Sequence, residues 1–264
     1  MADLEVVRDA GILWLTLNRP EQMGALTVDM RNQMIDELWR ARGDVEVRGI
    51  VIGGKGKGFC TGADLSQPRG TAMPATPWAG LVRETMRTGS QRLLRAIWEI
   101  EKPVIASVNG TAAGLGAHLA LVSDLILCAE GVRFIEVFVR RGIAIDAMGG
   151  YLLPRVMPLC KAKELAFFGD AFTAEDALAL GVVNRVVPAD QLETLTREWA
   201  QRLVQAPTFA CGVSKRLLNR GTEVDLDTSL DDEALVQSMV MGSEDAQEGM
   251  NAFRERRPPA FKGR

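Results

Sequence analysis

Asp146 closes the stretch Gly142-Ile143-Ala144-Ile145-Asp146 and is followed by Ala147 and Met148. Apolar neighbours desolvate a carboxylate and raise its pKa toward neutrality, which suits it to taking up and returning a proton. An aspartate here also suits capping of a helix over 147–151, so both roles are open. His118 is the only histidine of the chain. With Leu115 three residues before it and Leu121 three after, it falls on the core side of a helix. A satisfied core histidine and a proton-transfer or acyl-positioning group both fit that place. Three glycine-bearing stretches accompany these residues, at 53–65, 109–116 and 142–150. Glycine admits positive φ and lets a ligand approach main-chain N–H groups, which are free at the start of a helix. Gly58 is followed by Phe59, so the first stretch is no P-loop. The second lacks the third glycine and the acidic residue of a dinucleotide site.

These residues need elements to hold them. Residues 4–7 and 12–17 read as two strands joined by a turn at Asp9-Ala10-Gly11. Thr27 is placed to cap a helix carrying Met30, Met34, Ile35 and Leu38. The apolar, β-branched runs 49–53 and 103–108 are buried strands, each leading into a glycine stretch. Leu93, Leu94, Ile97, Trp98 and Ile100 mark an amphipathic helix, 117–122 a further helix, and 124–128 a further strand. Strands alternating with helices predict an α/β layered core over 1–200. The remainder, 201–264, reads as helical, with one long helix expected over 230–253. Its apolar set, from Leu230 and Leu235 to Met250 and Phe253, is broader than one core-facing stripe requires and so asks for a partner. The Pro- and Gly-rich segment from 66 to 89 is expected to cover an acyl pocket.

Composition sets the bounds. The chain has 264 residues, 31 Lys and Arg against 34 Asp and Glu, and a net charge of −3. That balance argues against a nucleic-acid partner. Cys60, Cys128, Cys160 and Cys211 are widely spaced and read as free thiols of a reducing compartment. One histidine and no paired thiols leave no structural zinc site, and no bound metal or separate cofactor is expected. No run approaches 18 apolar residues and the start lacks signal-peptide features, so a cytoplasmic address is the expectation.

Several motifs together resemble the crotonase (enoyl-CoA hydratase/isomerase) superfamily. They are Leu15-Thr16-Leu17-Asn18-Arg19-Pro20 with Ala25-Leu26-Thr27, then 59–65 (FCTGADL), 108–116 (VNGTAAGLG), 119–125 (LALVSDL) and Arg257-Pro258-Pro259-Ala260-Phe261. The resemblance runs in order over essentially the whole chain. It implies a spiral of ββα units followed by a helical trimerisation subdomain, as a homotrimer or hexamer. It implies an acyl-CoA thioester as substrate, its carbonyl held by the backbone N–H groups of Ala63 and Leu115. Main-chain contacts at Thr61, Ala63 and Leu65 would hold the CoA, with Phe261 and Lys262 reaching a neighbour's site. The family's basic residue in the first turn is absent, Glu21 standing there. The two hydratase glutamates would fall at His118 and Phe138, and phenylalanine transfers no proton. The resemblance therefore favours double-bond isomerisation with Asp146 as acid/base. Hydration using His118, thioester hydrolysis and non-catalytic acyl-CoA binding are the alternatives. A serine hydrolase is set aside, because no G-x-S-x-G accompanies His118.

Overall fold

The computed structural model describes residues 2–66 and 78–264. The chain opens with the hairpin β1 (Leu4–Asp9) and β2 (Ile12–Leu17), then α1 (Val28–Gly43). Thr27 caps α1, its Oγ1 accepting from the Met30 N–H at 3.1 Å. Next come β3 (Gly49–Gly54), β4 (Gly58–Cys60), α2 (Ala79–Thr88) and α3 (Ser90–Glu99). The pattern repeats in β5 (Val104–Val108), β6 (Thr111–Ala113) and α4 (Leu115–Leu121). It repeats again in β7 (Leu125–Ala129) and β8 (Arg133–Ile135), followed by α5 (Gly149–Val156) and α6 (Leu159–Phe168). The strands β9 (Ala171–Thr173) and β10 (Arg185–Val187) flank α7 (Ala174–Ala179). Four helices finish the chain: α8 (Leu192–Gln205), α9 (Thr208–Gly221), α10 (Leu226–Val240) and α11 (Glu244–Glu255).

Each repeat sends its first strand to one sheet and its second to another. The larger sheet has the order β1-β2-β3-β5-β7-β10, parallel beyond the β1–β2 hairpin. The smaller has the order β4-β6-β8-β9. This is the spiral of ββα units that the resemblance implies, and its central strands have the composition it needs. Runs such as Ile50-Val51-Ile52 are buried on both faces, as central parallel strands must be when layers cover them on both sides. The second sheet was not foreseen, because strands of three residues carry too few side chains to show alternation.

Helix α8 lies over β3, β5 and β7, and its Thr196 Oγ1 meets Ser107 Oγ at 2.8 Å. The expected division between 200 and 201 thus falls inside a helix of the sheet core, and the purely helical portion starts beyond Pro207. The single helix expected over 230–253 is two helices. Ser243 breaks it, its hydroxyl accepting from the Ala246 N–H at 3.1 Å to start α11. A serine that caps outcompetes continuation of the helix, since it satisfies an otherwise free donor. The expected cover segment from 66 to 89 falls partly outside the described residues; α2 occupies its latter part.

Candidate active site

The loop after β4 turns at Gly62, whose φ of +99° is a conformation that only glycine adopts without strain. A Cβ at Gly62 would stand 3.2 Å from the Ala113 carbonyl and 3.8 Å from the Leu115 nitrogen. That close approach brings the backbone at 62–63 beside the start of α4. The loop is pinned from the other side: Leu26 N–H donates to the Gly62 carbonyl at 2.8 Å, and Asp64 N–H donates to the Leu26 carbonyl at 2.9 Å. Arg19 adds side-chain bonds to the Ala25 carbonyl and the Asp64 carboxylate, both at 2.8 Å. Hydrogen bonds from Ser66 and then from Arg19 hold the Asp64 carboxyl down at about 2, so it is ionised throughout the neutral range.

These bonds leave two groups over. The Ala63 and Leu115 N–H groups find no backbone acceptor among the described residues, Leu115 being the first residue of its helix. Both residues line one cavity of about 210 Å³. Thr61, Leu65, Phe138, Arg141, Ile143 and Asp146 also border it. Of the residues expected to hold CoA, Thr61, Ala63 and Leu65 are therefore gathered at one opening. Phe261 and Lys262 are elsewhere, folded back on α11. The buried Asp245 carboxylate accepts the N–H groups of Lys262 and Gly263 there, each at 2.6 Å.

Asp146 is half-buried at the cavity wall, and burial raises its pKa from the ordinary carboxylate value. Two further influences oppose each other: His118 lowers it and Glu136 raises it. The residues that follow, Ala147 and Met148, have φ of +45° and +64°. Left-handed backbone at non-glycine residues costs about 1–3 kcal/mol each and persists only where the surroundings hold it. The N-cap of α5 is Met148, and no side chain caps that helix. The capping role open to Asp146 is thus not taken up, and the residue borders the cavity.

His118 lies behind this wall rather than in it. Its ring is wholly buried and pairs with Glu136, a residue the resemblance did not place in the site. A signal for Glu136 existed. Phe134, Glu136 and Phe138 alternate with Ile135 and Val137, and all three of the first set are buried. A carboxylate on an otherwise aromatic face demands a partner, because an isolated charge there is too costly.

The enoyl-CoA hydratase/isomerase family model matches residues 7–264. A "Probable enoyl-CoA hydratase" of Rhodobacter capsulatus is 39% identical over 255 residues, 96% of this chain and 95% of that protein. The 1,2-epoxyphenylacetyl-CoA isomerase of Escherichia coli is 35% identical over 256 residues, 97% of each chain. Among solved structures, an enoyl-CoA hydratase of Bacillus anthracis superposes with a TM-score of 0.91 at 29% identity, covering 100% of both chains. A spiral of ββα units, a cavity bordered by two unpartnered amides and a family match over nearly the whole length agree. The chain belongs to the enoyl-CoA hydratase/isomerase, or crotonase, superfamily.

Proposed function

We propose that the protein is an acyl-CoA isomerase that moves a carbon–carbon double bond near the thioester carbonyl, with Asp146 as the proton shuttle. The observation that supports it is the content of one cavity. Asp146 is the one carboxylate among the described residues that line it, and it shares the cavity with the free N–H groups of Ala63 and Leu115. In a 3-enoyl-CoA, the Asp146 carboxylate takes a proton from C2, and the electron pair moves toward the thioester oxygen. Ala63 and Leu115 donate to that oxyanion, and each such donor is worth roughly a hundred- to a thousandfold in rate. The protonated Asp146 returns the same proton to C4, leaving the double bond between C2 and C3. Nothing is added or lost, so a single group of raised pKa suffices. No second cofactor enters the scheme; CoA is part of the substrate.

His118 was a second catalytic candidate. In this reading it touches no substrate and acts through Asp146. Thr61, Ala63 and Leu65 border the CoA entrance, and Phe261 with Lys262 reaches the entrance of a neighbouring copy in a homotrimer or hexamer. Hydration remains the competing reading, because relatives carry hydratase names. Hydrolysis and non-catalytic binding are the others.

The test is Asp146→Asn against a chain-length series of 3-enoyl- and 2-enoyl-CoA esters. The expected result is conversion of 3-enoyl to 2-enoyl ester by the wild type, and a loss of about 10²–10⁴-fold in the variant with ester binding retained. Undiminished turnover in the variant removes Asp146 from the mechanism. A 3-hydroxyacyl product from 2-enoyl ester assigns hydration instead. Free CoA release assigns hydrolysis, and tight binding with no turnover of any ester assigns a binder.

A further inference from the structure

Behind Asp146 lies a buried pair that the steps above leave idle. The His118 Nε2 stands 3.2 and 3.1 Å from the two carboxyl oxygens of Glu136. Those oxygens accept, so Nε2 carries a hydrogen when Glu136 is ionised. The Nδ1 atom, equally buried, has no partner among the described residues. Phe138 stacks on the imidazole at 5.6 Å between centroids, the planes 18° apart. Gly149 also presses on the ring: a Cβ there would stand 2.3 Å from Cε1 and 2.6 Å from Nε2 of His118. Gly149 is also the residue whose N–H closes the Asp146 turn, donating to the Asp146 carbonyl at 2.8 Å. The left-handed pair Ala147 and Met148 is thus bracketed between the reacting carboxylate and a residue seated on imidazole.

We propose that the His118–Glu136 pair is the seat of Asp146: the ring holds the strained turn in position, and the two opposed groups set how tightly its carboxyl keeps a proton. The proposal rests on the isomerase reading and adds to it two positioning residues, neither of which touches substrate. Other charged groups lie nearby. Arg141 borders the same cavity, while Arg140 reaches Asp170 at 3.8 Å. On elements packed against α4, Arg155 of α5 lies over the Tyr151 ring and pairs with Glu223. Cys60 of β4 is a buried thiol pushed up to about 11 and is neutral at working pH. Arg95 and Glu99 of α3 pair with each other, and Arg92 borders an outer groove between α1 and α3. Strands β5 and β6 carry no titratable group. The opposing influences of His118 and Glu136 on Asp146 accord with the geometry.

Opposite substitutions should therefore move the acid limb of kcat/KM in opposite directions. Glu136→Gln keeps an acceptor for Nε2 but removes a negative charge, so the limb moves to lower pH. His118→Gln leaves the buried Glu136 charge without its imidazole, so the limb moves to higher pH. Each shift is expected to be on the order of one pH unit. Gly149→Ala drives a methyl group into the ring and should lower kcat with little change in KM. Thermal melts establish folding, and whichever glutamine variant folds carries its own signed expectation. An NMR titration of ¹³C-carboxyl-labelled aspartates, with Asp146→Asn supplying the assignment, reads the same shifts without turnover. Limbs and titrations that stay in place, or move in the same direction, overturn the proposal. Turnover retained by Asp146→Asn instead overturns the isomerase reading alone, and the titration still decides the seat.

Discussion

The role proposed for Asp146 comes at a cost to stability, and the sign of that cost is testable. Its pKa is raised in the folded protein, so the native state binds more protons than the unfolded state between the ordinary carboxylate value and the raised one. Its contribution to stability is full below about 3.9, the unfolded value, and is lost as pH rises through the folded value. At neutral pH the ionised form is the desolvated one. Asp146→Asn should consequently raise Tm at pH 7, and the gain should vanish near pH 3, where both proteins are neutral at this position. Differential scanning calorimetry across pH checks it; a gain that persists at pH 3 would point to packing rather than charge. Asp64 behaves in the opposite sense. Its carboxyl is held at about 2, so its support for the Ala63 loop is present above the unfolded value and disappears as pH falls through about 2. Asp64→Asn weakens the bonds that aim the Ala63 N–H, and the expected result is a lower kcat for the isomerisation.

At the scale of elements, the C-terminal tail is the part whose placement is most economical to test. Ser243 starts α11, and in its first turn Asp245 collects two tail N–H groups. The bidentate contact of Arg257 with Glu248, at 2.5 and 2.9 Å, clamps the residues between. Ser243→Ala should cost about 1 kcal/mol of stability, the usual value of an N-cap. Asp245→Ala should free residues beyond 260 without unfolding the sheets. Limited proteolysis is then expected to trim the last few residues, and KM for the CoA ester to rise several-fold. A trimmed tail with unchanged KM would separate Phe261 and Lys262 from CoA binding. Helix α1 illustrates the converse, an element readable from its residues: a threonine cap and apolar residues at helical spacing needed no distant partner to be recognised.

At the scale of the whole molecule, α10 is the feature left most uncovered: it packs against α9, where Arg220 pairs with Asp232, and leaves apolar side chains outside that contact. None of its residues is buried, and Leu226, Leu230, Leu235 and Met239 are 72, 51, 62 and 56% exposed. At about 100° per residue, the first two and the last two fall on roughly opposite sides of the helix. Packing rather than propensity supports most protein helices, so apolar stripes left wet beyond the α9 contact ask for a further surface. Copies of the chain supply the missing contacts in the trimer proposed above. Light scattering of the wild type should give a multiple of 28.8 kDa. Leu230→Arg combined with Leu235→Arg should bring the mass to that of one chain and reduce CoA affinity. A wild type that already scatters as a single chain would end the proposal. Among the described residues no helix is long and apolar enough to cross a membrane, so these stripes do not form a span.

By itself the sequence determined the layered core, because buried parallel strands must be apolar on both faces and 49–53 and 103–108 say so residue by residue. It marked Asp146 through its apolar flanks and the loops through their glycines, while Ala63 and Leu115 were named only by the family resemblance. What it left open depended on contacts distant in the chain. Whether Asp146 caps a helix turned on where α5 begins, and the left-handed backbone at Ala147 and Met148 starts it two residues late. The partner of His118 lay eighteen positions away across the β6–β8 pairing, where only the folded register brings α4 and the end of β8 together. The break at Ser243 was a competition between a cap and a helix that continues, and hydrophobic spacing runs unbroken through both outcomes. Local composition fixes what one element buries; which buried groups meet is decided when the sheets close over them.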